Sequence, residues 1–196
     1  MRPFLVCPPE MKRAGTGPIR VDAEGRFEGY ASLFGVEDLG RDIVERGAFT
    51  ASLARRGASG VKMLWQHDPA EPIGRWLEIR EDGRGLAVRG QILIGLSKGR
   101  EVLALLDAGV LDGLSIGFKT VRGRRDPRSG IRRLHEVDLW EISLVTFPMQ
   151  PEARVGPLST RGVSALALEA EAHVARMRAI ARDLAQAAAA ERRRSF

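Results

Sequence analysis

One cysteine, three histidines and no apolar run of membrane length set the first limits on this 196-residue chain. Cys7 alone cannot form an intramolecular disulfide, and nothing points to an oxidising compartment. Three histidines without a cysteine cluster do not make a zinc site, so no metal and no other cofactor is expected. No stretch approaches the roughly 20 apolar residues that span a bilayer. The opening Phe4-Leu5-Val6-Cys7 is too short for a signal peptide, and Pro8-Pro9 interrupts it. The expectation is a soluble, cytoplasmic protein with no membrane partner.

What is present fits a folded, turn-rich chain: 44% apolar residues and 22 glycines. The length suits one globular domain with an appendage. Thirty-one basic residues against 25 acidic give a net charge of +6. The excess gathers at Arg122, Arg124, Arg125, Arg128, Arg132 and Arg133, and again at Arg192 to Arg194. Such a surplus favours acidic partners. No nucleic-acid module surrounds it, so nucleic acid is an incidental partner at most.

Residues 1–17, rich in Pro, Gly and basic side chains, read as a mobile arm. Strand-like text begins at Pro18. Residues 26–34 and 61–66 read as strands, and residues 75–80 and 85–93 flank Glu81-Asp82-Gly83-Arg84, a hairpin signal in which Asp-Gly supplies positive φ. Two short helices are expected. One spans 48–56 and stops at Gly57; the other spans 98–108, capped by Ser97, stopped by Gly109, with Val102, Leu105 and Leu106 on one face. Strands return at 113–121 and 131–147. Many strands with few helices argue for a mainly β, α+β fold, an antiparallel barrel or sandwich with helical decoration. Beyond Pro148 and Pro151 the chain turns Ala-rich. Residues 163–191 carry Val163, Leu166, Ala170, Val174, Met177, Ile180 and Leu184 at helical spacing, an amphipathic helix with a narrow apolar stripe. That helix packs on its own domain or docks on a partner; spacing does not choose.

Gly113-Leu-Ser115-Ile-Gly117 satisfies the G-x-S-x-G nucleophile pattern, but the surroundings exclude an α/β-hydrolase elbow. A helix precedes Ser115 and a strand follows it, the reverse of what that elbow needs. His67 ends a strand beside Asp68-Pro69, a place from which an imidazole reaches a cleft or simply lies on the surface. Glu141 sits within Leu139-Trp-Glu-Ile-Ser-Leu-Val-Thr-Phe147. A carboxylate in so apolar a strand must be paired, hydrogen-bonded or protonated. An arginine partner or a histidine to orient would each serve. Asp138 and Glu136 are rival acids which strand alternation places on the face opposite Glu141.

These positions fall within an ordered series of blocks: Phe27-Glu-Gly-Tyr-Ala-Ser-Leu-Phe-Gly35, Asp42-Ile-Val with Gly47-Ala-Phe49, Leu64-Trp-Gln-His67-Asp with Pro72-Ile-Gly74, Gly99-Arg-Glu101, Gly113-Leu-Ser-Ile-Gly-Phe118 and Leu139 to Pro148. Over roughly residues 18–155 the series resembles the prohead proteases of HK-type tailed phages, distant relatives of the herpesvirus assemblins. It departs from them at Met149-Gln150-Pro151, where that family usually has Ala-Asn-Pro.

The resemblance implies a small β-barrel serine endopeptidase over residues 18–155, followed by a linker and helix at 156–196. It implies cleavage of capsid or scaffold protein, with self-cleavage included, inside the assembling prohead of a phage or a phage-like gene-transfer particle. The partners would be the major capsid protein or its scaffold-like segment, and further copies of the chain. Carried over by position, Ser115 is the nucleophile, His67 the general base and Glu141 the third member. Assemblins use a second histidine instead, which nominates His135. Backbone N–H groups near Ser115, an arginine of the 122–133 loop, Arg75 or Arg100 are candidates for holding an oxyanion. The competing reading is a non-catalytic assembly or scaffolding protein.

Overall fold

A computed structural model describes residues 21–156. The arm at 1–17 and the helix expected within 163–191 lie outside the described residues. The described chain runs β1 (Arg26–Leu33), β2 (Asp42–Val44), α1 (Thr50–Arg56), β3 (Lys62–Trp65), β4 (Asp68–Glu81), β5 (Gly85–Ile92), α2 (Ser97–Asp107), β6 (Gly113–Arg125), β7 (Arg132–Val145) and β8 (Val155–Gly156). The described residues are mainly β with two helices, as the strand-rich text implies. No helix among the described residues is long and apolar enough to cross a membrane.

All eight strands join one sheet in the order β2-β7-β3-β4-β5-β1-β8, with β6 on the remaining edge of β7. The sheet curls into a half-barrel. Its two ends approach where Gly113 bridges Arg154 and the Leu114 N–H bonds the Ala153 carbonyl. Most pairs are antiparallel, but β2 and β3 both run parallel to β7, which the sequence pattern does not reveal. They occupy separate stretches of one β7 edge, 132–134 and 141–144. Helix α1 and the turn leading into it fill the gap between them: the Val137 N–H bonds the Ala48 carbonyl and the Leu139 N–H bonds Ser52 Oγ. Ladder donors that no strand reaches are thereby satisfied.

The concave face holds the core. Phe27, Phe49, Met63, Ile73, Leu86, Val102, Leu106, Leu114, Leu139, Ile142 and Leu144 are all but inaccessible to solvent. Phe27 meets Trp76 edge to face with centroids 5.7 Å apart. Val102 and Leu106 bury the apolar face of α2 as their spacing implies, while Leu105 is half-buried.

Two local expectations need correction. Ser97 does not cap α2. Leu96 is the N-cap, and Ser97 Oγ takes a side-chain contact from Arg100 instead. The β4–β5 hairpin forms where expected, but Gly83 is not among the residues with positive φ. Asp82 builds that turn, accepting the N–H groups of Arg84 and Gly85 on Oδ1 and donating its own N–H to the Gly85 carbonyl. The short acidic side chain, rather than glycine, closes the loop.

Candidate active site

Strand β7 is the spine of the site. On it, Ile142 and Leu144 face the core, fully buried, so Glu141 and Ser143 face the convex side. Strand β6 runs antiparallel on one edge, with Ser115 opposite Ser143 and Gly117 opposite Glu141. Residues directly opposite in a ladder project on the same face with Cα atoms about 4.5–5.5 Å apart. Ser115, Ser143 and Glu141 therefore share one face of two adjacent strands, and Ser115 is 5% exposed.

His67 arrives from the other edge of β7. Leu64 and Trp65 of β3 pair with Ser143 and Leu144, and the chain then reverses into β4 through Gln66 and His67. Both loop residues have positive φ, 52° and 63°, as a two-residue type I′ hairpin loop requires. Neither residue is Gly, Asn or Asp, and the left-handed region costs an ordinary residue about 1–2 kcal/mol. Tertiary bonds hold the loop regardless. The Gln66 N–H bonds the Leu144 carbonyl, Gln66 Nε2 bonds Thr146 Oγ1 at 2.8 Å, and the His67 N–H bonds Ser143 Oγ at 3.2 Å. Backbone strain so over-determined is typical of functional positions.

The loop sets His67 Nδ1 2.6 Å from Glu141 Oε1. A carboxylate only accepts, so Nδ1 carries the proton and, in the neutral ring, Nε2 is the nitrogen with a free lone pair. The second carboxylate oxygen, Oε2, accepts the Ser143 hydroxyl at 2.6 Å. Glu141 is 13% exposed and His67 42%. The hydrogen bond to Glu141 raises the His67 pKa above the ordinary imidazole value, against the opposing pull of burial.

Glu141 faces outward because of a β-bulge. The β6–β7 register slips between Gly117 and Phe118, so that Gly117 opposes Glu141 while Phe118 opposes Leu139, and Trp140 is the extra residue. Core-facing positions consequently jump from Leu139 to Ile142. The strand alternation that sets Asp138 and Glu136 opposite Glu141 does not survive this bulge. What separates Asp138 from His67 is its own engagement. It accepts Arg56 Nη2 at 2.8 Å, Arg55 Nη2 at 2.6 Å and the Trp140 indole at 2.8 Å. Arg56 foremost holds its carboxyl far below the usual carboxylate range. Glu136 lies 3.9 Å from Arg122. His135 stands six residues along β7 from Glu141, about 20 Å of strand at roughly 3.3 Å per residue.

Several of the other arginines nominated for an oxyanion are engaged too. Arg75 bonds Gln91 Oε1, Arg100 bonds the carbonyls of Ile94 and Gly95, and Arg132 and Arg133 pair with Asp42 and Glu45. Ser143 was not singled out by sequence reasoning. Its one signal is the i, i+2 spacing from Glu141 on a strand.

Ser115 also borders a cavity of about 150 Å³ lined by Val36, Asp38, Ile116, Phe118, Met149 and Gln150 among others. Beyond Leu114, and among the described residues, β6 pairs only with β7. Among the described residues, no strand pairs with the β6 edge beside Ser115, which the cavity borders instead.

A family model described as caudovirus prohead serine protease matches residues 17–168. The prohead protease of Enterobacteria phage HK97 is 34% identical over 153 residues, 77% of this chain and 65% of that protein. The prohead protease of Escherichia phage T5 is 25% identical over 129 residues, 65% of this chain and 60% of that protein. The chain thus spans less than two thirds of the length of either relative. Among solved structures, a KSHV protease bound to a hexapeptide phosphonate inhibitor aligns with a TM-score of 0.47 and 12% identity, over 75% of this chain and 76% of that one.

Proposed function

We propose that this chain, which belongs to the caudovirus prohead serine protease family, is a serine endopeptidase that cleaves capsid or scaffold protein during prohead maturation. The reading rests above all on the 2.6 Å contact between His67 Nδ1 and Glu141 Oε1, on the strand face that also carries Ser115.

In this reading Ser115 is the nucleophile. A serine hydroxyl attacks a peptide carbonyl only once a base takes its proton, and the base must be held in the correct tautomer. His67 Nε2 takes that proton, while Glu141 fixes Nδ1–H and stabilises the imidazolium that forms. Nε2 then returns the proton to the departing amine. An extended substrate segment lies along the open edge of β6 by strand addition. The cavity between β6 and the 36–42 and 149–150 segments accepts one of its side chains. The substrate is the major capsid protein or its scaffold-like segment.

Fluorophosphonate treatment followed by intact-mass analysis tests the reading. One adduct on the full chain, mapped to Ser115 and absent from Ser115→Ala, is the expected result. Labelling that persists in Ser115→Ala would remove Ser115 from the mechanism.

A further inference from the structure

The Glu141 carboxylate lies against the backbone of β6 at Gly117. A methyl group built at Gly117 would lie 2.0 Å from Glu141 Oε1 and 2.7 Å from its Cδ. Gly117 is not among the residues with positive φ, so the β6 backbone does not itself require glycine there. What occupies the missing side chain's space is the carboxylate. On the far side of the same carboxylate, fully buried Ser143 donates to Oε2 at 2.6 Å and accepts the His67 N–H at 3.2 Å. Glu141 has rotatable bonds enough to swing elsewhere; the open space over Gly117 admits its carboxylate, and bonds to His67 Nδ1 and Ser143 Oγ hold the two oxygens there.

We propose that Gly117 and Ser143 are positioning residues for the acid of the site. Gly117 leaves the space in which the Glu141 carboxylate lies, and Ser143 ties that carboxylate to the loop carrying His67. The proposal builds on the Ser115–His67–Glu141 reading. It assigns the final glycine of the Gly113-Leu-Ser115-Ile-Gly117 pattern to the acid on the neighbouring strand rather than to the turn geometry of a nucleophile elbow. The atoms nearest a methyl group at Gly117 all belong to the Glu141 side chain, its Cγ at 2.8 Å included, and none to the backbone, so Gly117→Ala displaces that side chain and leaves the sheet standing.

The test uses the full chain. The His67 imidazole is titrated by NMR in a Ser115→Ala background, alone and with Gly117→Ala, Ser143→Ala or Glu141→Gln. The matching single variants are assayed for peptide hydrolysis. His67 should titrate above the ordinary value of about 6.5 in the parent and fall towards it in all three. Displacing the orienting group by an ångström or so should lower kcat about 100-fold in Gly117→Ala, with KM unchanged. Ser143→Ala should act in the same direction and less strongly.

A folded Gly117→Ala protein that titrates like the parent, while Glu141→Gln is shifted, overturns the role of Gly117. The same outcome for Ser143→Ala overturns the role of Ser143. Failure of Gly117→Ala to fold would show that the strand needs the glycine, which also overturns its assignment to the acid. If Glu141→Gln shifts the titration but leaves kcat intact, the triad reading is wrong while the positioning stands. No shift in Glu141→Gln removes both.

Discussion

In the proposed mechanism His67 can act as the base only while Nε2 is unprotonated, and its bond to Glu141 holds the proton on the ring to higher pH than usual. The acidic limb of the kcat/KM profile should therefore lie above the ordinary histidine value of about 6.5. At that pH more than half of the enzyme would be in the inactive, protonated form. Glu141→Gln removes the charge that favours imidazolium, so the limb should move down in pH as kcat falls; a limb that stays in place would contradict the contact. The loss should be smaller than in Ser115→Ala or His67→Gln, because nucleophile and base act as a unit. Asp138→Asn and His135→Ala should leave kcat unchanged. Asp138→Asn should still lower the melting temperature, since Arg55, Arg56 and the Trp140 indole all converge on that carboxylate.

Strand β7 does most of the assembling: it pairs with β6 on one edge and with β2 and β3 on the other, where α1 fills the gap between them. Ile142, between Glu141 and Ser143, is fully buried on the opposite face. Ile142→Ala should cost about 2–5 kcal/mol, read as a fall in the denaturant midpoint. An unchanged midpoint would mean that β7 is not seated in the core as described. The strand was legible in the sequence because its apolar residues alternate. The bulge at Trp140 was not, since one extra residue is visible only against the register of a partner strand. The same holds for the Gln66-His67 loop. It lacks the Asn-Gly or Asp-Gly chemistry of a type I′ turn, and is held by bonds from Leu144, Ser143 and Thr146, nearly 80 positions away. The parallel β2 and β3 pairings are equally long-range. Helix α2 was legible because its apolar stripe and its stop at Gly109, φ 65°, are local.

For the whole molecule, Ser115, His67 and Glu141 were nominated from ordered sequence blocks; Ser143 was not, because a serine on a strand carries no signal of its own. Residues 161–196 hold seven arginines against four acidic residues. We propose that this segment, outside the described residues and expected from its apolar spacing to be an amphipathic helix, targets the protease to the capsid interior. Truncation after Gly162 should leave cleavage of an exposed peptide largely unchanged while abolishing incorporation into particles. An unfolded truncated protein, or one packaged normally, would contradict that role.

The most direct measurement is co-expression with a major capsid protein, the proposed substrate, followed by intact-mass analysis of both. The wild-type chain should shorten the capsid protein at a defined peptide bond, and folded Ser115→Ala should leave it at full mass. Capsid protein left intact by the wild-type chain, or shortened equally by Ser115→Ala, would contradict a serine endopeptidase acting through Ser115.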